Sequence, residues 1–146
     1  MPTEVKAGFD VITVNHGQTF MVTGPEGVAR GSEQQGLFAH DVRFLSHYRC
    51  RISGRRWKLV TSAPVSHTSA RFVYTNPALL SASGAIPKHV LGLTIERTVS
   101  RGVHEDFDLV NYGRVPVELF VRQPRQSPWS LRSGDRRCPS ISAFGF

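Results

Sequence analysis

Hydrophobic and polar positions alternate with a period of two along most of the chain, the spacing of strands that bury one face. "DVITVN" and "QTFMVT" flank Asn15-His16-Gly17, a turn-rich tripeptide, so residues 10 to 23 are predicted to form a hairpin. Gly24, Pro25 and Gly27 interrupt the pattern, and "GVARGSEQQ" reads as a short strand or loop. From Arg43 a long run sets Phe44, Tyr48, Cys50 and Ile52 on one face. Arg43, His47, Arg49 and Arg51 fall on the other, with Leu45 as an exception. Ser53-Gly54-Arg55 then turns the chain into "RWKLVTSA", predicted to run antiparallel to that strand.

Residues 70 to 76 make another β-rich run, ended by Pro77, and "PALLSASGAIPK" is predicted to be a loop. Three further strands follow. Leu91, Leu93, Ile95 and Val99 share a face in the first, and Val103, Phe107 and Leu109 in the second, where His104, Asp106 and Asp108 face the other way. In the third, Val115, Val117, Leu119 and Val121 form an unbroken apolar stripe. No helical period of adequate length precedes residue 122, and "LFAHDV" is at most a helical corner. Short strands with turn signals roughly every 8 to 12 residues imply an all-β, antiparallel β-sandwich.

After Arg122 the alternation stops. "QPRQSPWSLRSGDRRCPSISAFGF" has neither a strand nor a helix period and is rich in Arg, Pro and Ser. Such a composition buries too little apolar surface to fold alone, so residues 123 to 146 are expected to be a disordered C-terminal tail. The division is then 1–9, an N-terminal extension; 10–122, the sandwich; and 123–146, the tail.

Charge changes the picture less than its total suggests. The formal net charge is +7 and the isoelectric point about 10.3, values that invite a nucleic-acid reading. Yet the tail holds four arginines against one acid, while the body sets 14 basic against 10 acidic side chains. Two cysteines, Cys50 and Cys138, are too few and too distant for a zinc site, and the six histidines show no metal spacing. Cys50 is expected to be a small buried hydrophobe. No cofactor or metal is predicted. The opening "MPTEVKAGFD" lacks a basic segment followed by an apolar one, and no run is long enough to span a membrane, so a cytoplasmic protein is expected.

Three phrases, taken together, carry a resemblance. "GQTFMVTGPEG" (17–27), "GLFAHDVRFLS" (36–46) with "YRCRISGRRWKLVTS" (48–62), and "LTIERTVSRGVHEDFDLVNYGRVPVELFV" (93–121) resemble the N-terminal β-sandwich domain of bacterial and archaeal glycogen-debranching-type enzymes. The resemblance spans most of residues 10 to 122. It implies a non-catalytic accessory domain that packs on an (α/α)6 glucosidase domain, encoded in cis or separately, and borders its α-glucan cleft. The parent enzyme would be a glycoside hydrolase of the amylo-α-1,6-glucosidase type. In the family an acidic, apolar segment follows the last matched strand. Here the Arg/Pro/Ser-rich tail stands instead, so a truncated or frame-altered product, with a tail foreign to an incomplete sandwich, is expected.

Candidate residues follow from both readings. A glycosidase of the usual kind sets two carboxylates across the scissile bond. Asp41, Glu96, Glu105, Asp106 and Asp108 are the acids available, and the expectation is that none is catalytic, because the family's catalytic acids belong to the helical barrel. Asp41 is expected to cap the turn before the basic strand and to pair with Arg43 or a backbone N–H, with Leu37 and Phe38 closing the end of the sandwich. Alternatively that corner faces the catalytic domain and the glucan. Aromatic side chains can stack on sugar faces or fill interfaces, which makes Trp57, Tyr74 and Tyr112 candidates. The set of glucan-contact or interdomain residues is therefore Asp41, Arg43, Trp57 and Tyr112. A second reading is a stand-alone basic β-sandwich module that binds glucan or single-stranded nucleic acid through Arg49, Arg51, Arg55, Arg56 and Lys58.

Overall fold

The computed structural model describes residues 11–49, 51–81, 84–122, 129–133 and 141–145, and these contain no helix. The first hairpin pairs β1 (Ile12–His16) with β2 (Thr19–Thr23), with Gly17 and Gln18 at its turn. Then come β3 (Ala29–Arg30), β4 (Gly36–Ala39) and β5 (Val42–Leu45), followed by β6 (His47–Tyr48) and β7 (Arg51–Ile52). Longer strands follow: β8 (Lys58–Pro64), β9 (Ser69–Thr75), and a small hairpin of β10 (Leu79–Ser81) and β11 (Gly84–Ile86). The chain continues with β12 (Leu91–Val99), β13 (Gly102–Asn111), β14 (Val117–Arg122), β15 (Trp129–Ser133) and β16 (Ile141–Gly145).

All pairings are antiparallel. A four-stranded sheet, β1-β2-β4-β5, lies against a five-stranded one, β16-β13-β12-β9-β8, with β1 and β2 reaching β9 and β12. A three-stranded sheet, β15-β14-β7, and the pairs β10-β11 and β3-β6 complete the fold. The all-β antiparallel expectation holds. Alternation fixes which side chains turn inward: Leu91, Leu93, Ile95 and Val99 of β12 and Phe107 and Leu109 of β13 join Ile12, Val14, Met21 and Phe72 in one core.

Several strands differ from the sequence expectation. The run from Arg43 to Ile52 is three short strands in three different sheets, because the chain breaks at Ser46 and again before Arg51. Phe44 is accordingly exposed while Tyr48 and Ile52 are buried, and Cys50 lies outside the described residues. β8 pairs with β9 rather than with the strand before it; the Ile52–Arg55 bridge closes the turn that follows β7. "LFAHDV" is a hairpin, and "PALLSASGAIPK" contains the β10–β11 hairpin. Val115 is exposed, so the buried stripe of β14 begins at Val117. Within 123–146, β15 pairs with β14 and β16 with β13; the rest of that segment, Cys138 included, lies outside the described residues.

Asn76 locks the point where the chain leaves β9 and returns to β12. Fully buried, it donates through Nδ2 to the Pro77 and Pro87 carbonyls, each at 2.8 Å. Its Oδ1 accepts from the Val90 and Leu91 amides at 3.0 and 2.9 Å. No hydrocarbon can replace four such bonds, although water can reach some of the groups. Asn76→Ala should therefore lower unfolding free energy by about 2 kcal/mol, measured by urea titration.

Candidate functional site

The inner face of the five-stranded sheet carries two charges at positions where the pattern demands hydrophobes. Arg97 lies between Ile95 and Val99, and Glu105 between Val103 and Phe107. The antiparallel register sets them directly opposite each other, and sets Ala70 opposite Arg97 on the other flank. Ala70 is small and fully buried, which leaves room for the guanidinium.

The pair is sealed, with side-chain exposures of 4% and 0%. Arg97 Nε donates to Glu105 Oε1 at 2.7 Å, Nη2 to the Gly27 carbonyl at 2.9 Å, and Nη1 to Thr23 Oγ1 at 3.4 Å. The Tyr48 hydroxyl donates to Glu105 Oε2. The Arg97 guanidinium carbon sits 4.8 Å from the Phe72 ring centre and 5.1 Å from that of Tyr48, within cation–π range of both. Burial by itself lowers the pKa of this guanidinium; the charge of Glu105, its hydrogen bond and Tyr48 outweigh burial and hold the pKa above its usual value. Gly27 makes the arrangement possible. Its φ of +75° and the 3.0 Å between an added Cβ and the Tyr74 hydroxyl exclude a side chain there.

Outward from Arg97 the sheet face opens into a cleft of about 50 Å³. Ile52, Trp57, Tyr74, Leu93 and Ile95 wall it, and Glu26, Arg49, Arg55 and Arg56 rim it. Trp57 belongs to the core at 8% exposure, so its ring faces are not an open platform. Its Nε1–H is buried without an acceptor among the described residues, a state that costs about 1–3 kcal/mol. Tyr74 donates to the Glu26 carbonyl, which ties the cleft rim to β9.

Asp41 and Arg43 stand elsewhere, on the β4–β5 hairpin. His40 and Asp41 form its two-residue loop with φ of 49° and 63°, the paired positive values that match the twist of the flanking strands. Both are exposed. Asp41 is thus a residue of a hairpin loop and not a helical cap. Arg43 donates to the Ser32 carbonyl at 2.8 Å rather than forming an ion pair with Asp41. Leu37 is buried, and Phe38 stacks on Phe20 with ring centres 4.8 Å apart. Tyr112 lies at the end of β13, 76% exposed, its ring against Gly92. Of the four candidates only Trp57 lines the cleft, so the structure does not gather them into one site.

Three further acids are held in ion pairs. Glu96 pairs with Arg71 at 3.1 Å, and Asp106 meets His104 at 3.1 Å. Glu26, the one acid lining the cleft among the described residues, is held by Arg30 and Arg56. No three His, Cys, Asp or Glu gather as metal ligands among the described residues, and no helix is long and apolar enough to cross a membrane.

A second opening, of about 300 Å³, lies between the β10–β11 hairpin and the β13–β14 turn, lined mainly by Ile86, Pro87, Val90, Val115 and Val117. Leu80 and Tyr112, on the elements that border it, are exposed to 86% and 76%, and Val115 to 62%.

No curated protein and no solved structure matches the chain. Residues 14–123 match the model of a family described as the N-terminal domain of (some) glycogen debranching enzymes, a span that holds the buried pair, the cleft, the hairpin of Asp41 and the apolar end. The match covers most of the chain, which therefore belongs to this family of glycogen-debranching-enzyme N-terminal domains.

Proposed function

We propose that the chain is a non-catalytic accessory domain of a glycogen-debranching-type glucosidase. It packs on an (α/α)6 catalytic domain of the amylo-α-1,6-glucosidase type and borders that domain's α-glucan cleft in the cytoplasm. The family match over residues 14–123 carries this reading. Two features support it. The cleft among the described residues is lined by a single carboxylate, already engaged by two arginines, where a glycosidase of the usual kind needs two free to act. Leu80, Tyr112 and Val115, on the elements that border the second opening, are large side chains left exposed, as at a domain interface. Tyr112 would then serve the interface, and Asp41 and Arg43 would face the glucan.

The test mixes the purified chain with a debranching-enzyme catalytic domain made without its own N-terminal domain. The chain alone should release no glucose from limit dextrin. The mixture should form a one-to-one complex, and Tyr112→Asp or Val115→Asp should weaken it about tenfold or more, since a charge would be desolvated in the contact. Glucose release by the chain alone, or a complex indifferent to both substitutions, would refute the proposal.

A further inference from the structure

The small cleft above Arg97 has a charge pattern that docking on a second domain does not use. Arg49, Arg55 and Arg56, all exposed, converge on it from one short stretch of chain. Arg56 reaches Glu26 at 3.3 Å, but Glu26 also holds Arg30 at 3.1 Å. Arg49 and Arg55 have no carboxylate partner among the described residues. The charge of Arg97 on the cleft floor is matched by Glu105, so it does not offset the rim. Three guanidiniums around one opening therefore face a single shared acid.

The walls sharpen the effect. Ile52, Trp57, Leu93 and Ile95 present hydrocarbon and ring surface, which displaces water and strengthens the field at the rim. A volume of about 50 Å³ suits a compact group and not a sugar chain or a stacked base. Guanidinium forks match the oxygen spacing of phosphate, and several of them satisfy it better than one.

We propose that this cleft binds a phosphate-class oxyanion, held by Arg49, Arg55 and Arg56 against the Trp57 wall. The anion is free phosphate or the head of a phosphomonoester. A flat basic face for polynucleotide is the competing reading, and it fits a narrow, apolar-walled cleft less well.

The experiment uses the full chain. Trp129→Phe leaves Trp57 as the remaining one of two tryptophans, so its fluorescence reports on the cleft. Inorganic phosphate and phenyl phosphate are titrated in turn at constant ionic strength. Both should give a saturable change in emission. Arg49→Ala and Arg55→Ala should each weaken binding about tenfold, the loss of a charge-assisted bond. Arg71→Ala removes the same charge from a residue paired with Glu96 outside the cleft, and should leave affinity within about twofold. Tighter binding of phenyl phosphate assigns the site to phosphomonoesters; equal binding assigns it to free phosphate. Three outcomes overturn the proposal: no saturable response, equal weakening by Arg71→Ala, or binding of an oligothymidylate that phosphate does not displace.

Discussion

Replacing Arg97 by alanine should cost the domain about 3–5 kcal/mol of unfolding free energy, the range seen when one member of a buried ion pair is removed. The number follows from what stays behind. Glu105 is fully buried, and in the native protein its two oxygens accept from Arg97 Nε and from the Tyr48 hydroxyl. Without the guanidinium, the buried carboxylate would lose the counter-charge of Arg97, and the Gly27 carbonyl would lose its donor. A cavity would also open between the Tyr48 and Phe72 rings.

The companion variant separates the pair from its packing. Arg97→Met with Glu105→Leu removes both charges and keeps most of the volume, so it should lose less than Arg97→Ala alone. Buried ion pairs often gain little over well-packed hydrocarbon, whereas half of one is expensive. The pH dependence has a definite sign. A basic group whose folded pKa lies above its unfolded one contributes stability in full below the unfolded value, and loses it only as pH rises through the folded value. For Arg97 that window lies above the range in which proteins are handled. The gap between native protein and Arg97→Ala should therefore show no loss from this group between about pH 6 and pH 9. Urea titrations across that range check both statements. A cost below about 1 kcal/mol would mean that water reaches the pair.

Arg97 and Glu105 also show how much of the site the sequence displays. Period-two alternation reveals β1, β2, β12 and β13 and the inward parity of their hydrophobes. By that parity Arg97 belongs with Ile95 and Val99, and Glu105 with Val103 and Phe107. Grouping Glu105 with Asp106 and Asp108 as possible catalytic acids follows residue type and ignores face. Two opposite charges at inward positions of consecutive strands, close to a tight turn, are the signal for a cross-strand buried pair. The family resemblance was likewise legible, because its phrases lie on these same strands.

Other features are not written in any local pattern. Alternation says that residues 43 to 52 are extended, but not which neighbour each part pairs with, so the division among three sheets is invisible. The β10–β11 hairpin has three-residue strands rich in small side chains, below the length at which a period can be counted. The cleft joins Glu26 and Gly27 to Trp57 and Leu93, which come together only through sheet packing. The arginines that precede Trp57 suggest a surface position for it, yet the turn at Ser53 and Gly54 carries it into the core while Arg55 and Arg56 stay outside.

Gly36→Ala should cost about 3 kcal/mol or more, through backbone strain and a clash that side-chain movement cannot relieve. Gly36 has a φ of +135°, a region that essentially only glycine occupies. An added Cβ would lie 2.0 Å from the Leu45 carbonyl oxygen, so the backbones of β4 and β5 would have to part. A bulge between Leu37 and Phe38 already adjusts this pairing, and the close approach at Gly36 is what seats β5 against β4. Gly24→Ala is the control, since its Cβ would meet nothing nearer than 3.7 Å, and it should stay within about 1 kcal/mol. Equal stability of the two variants would sink the argument. Hydrogen exchange should localise the damage to amides 42–45, which carry Arg43 and adjoin Asp41. The cleft draws its residues from other elements, so Gly36→Ala should impair any glucan or domain contact made by the hairpin and leave phosphate binding at Arg49 and Arg55 intact. Loss of both together would mean that hairpin and cleft form one cooperative unit; loss of the first alone would separate the accessory role from the anion site.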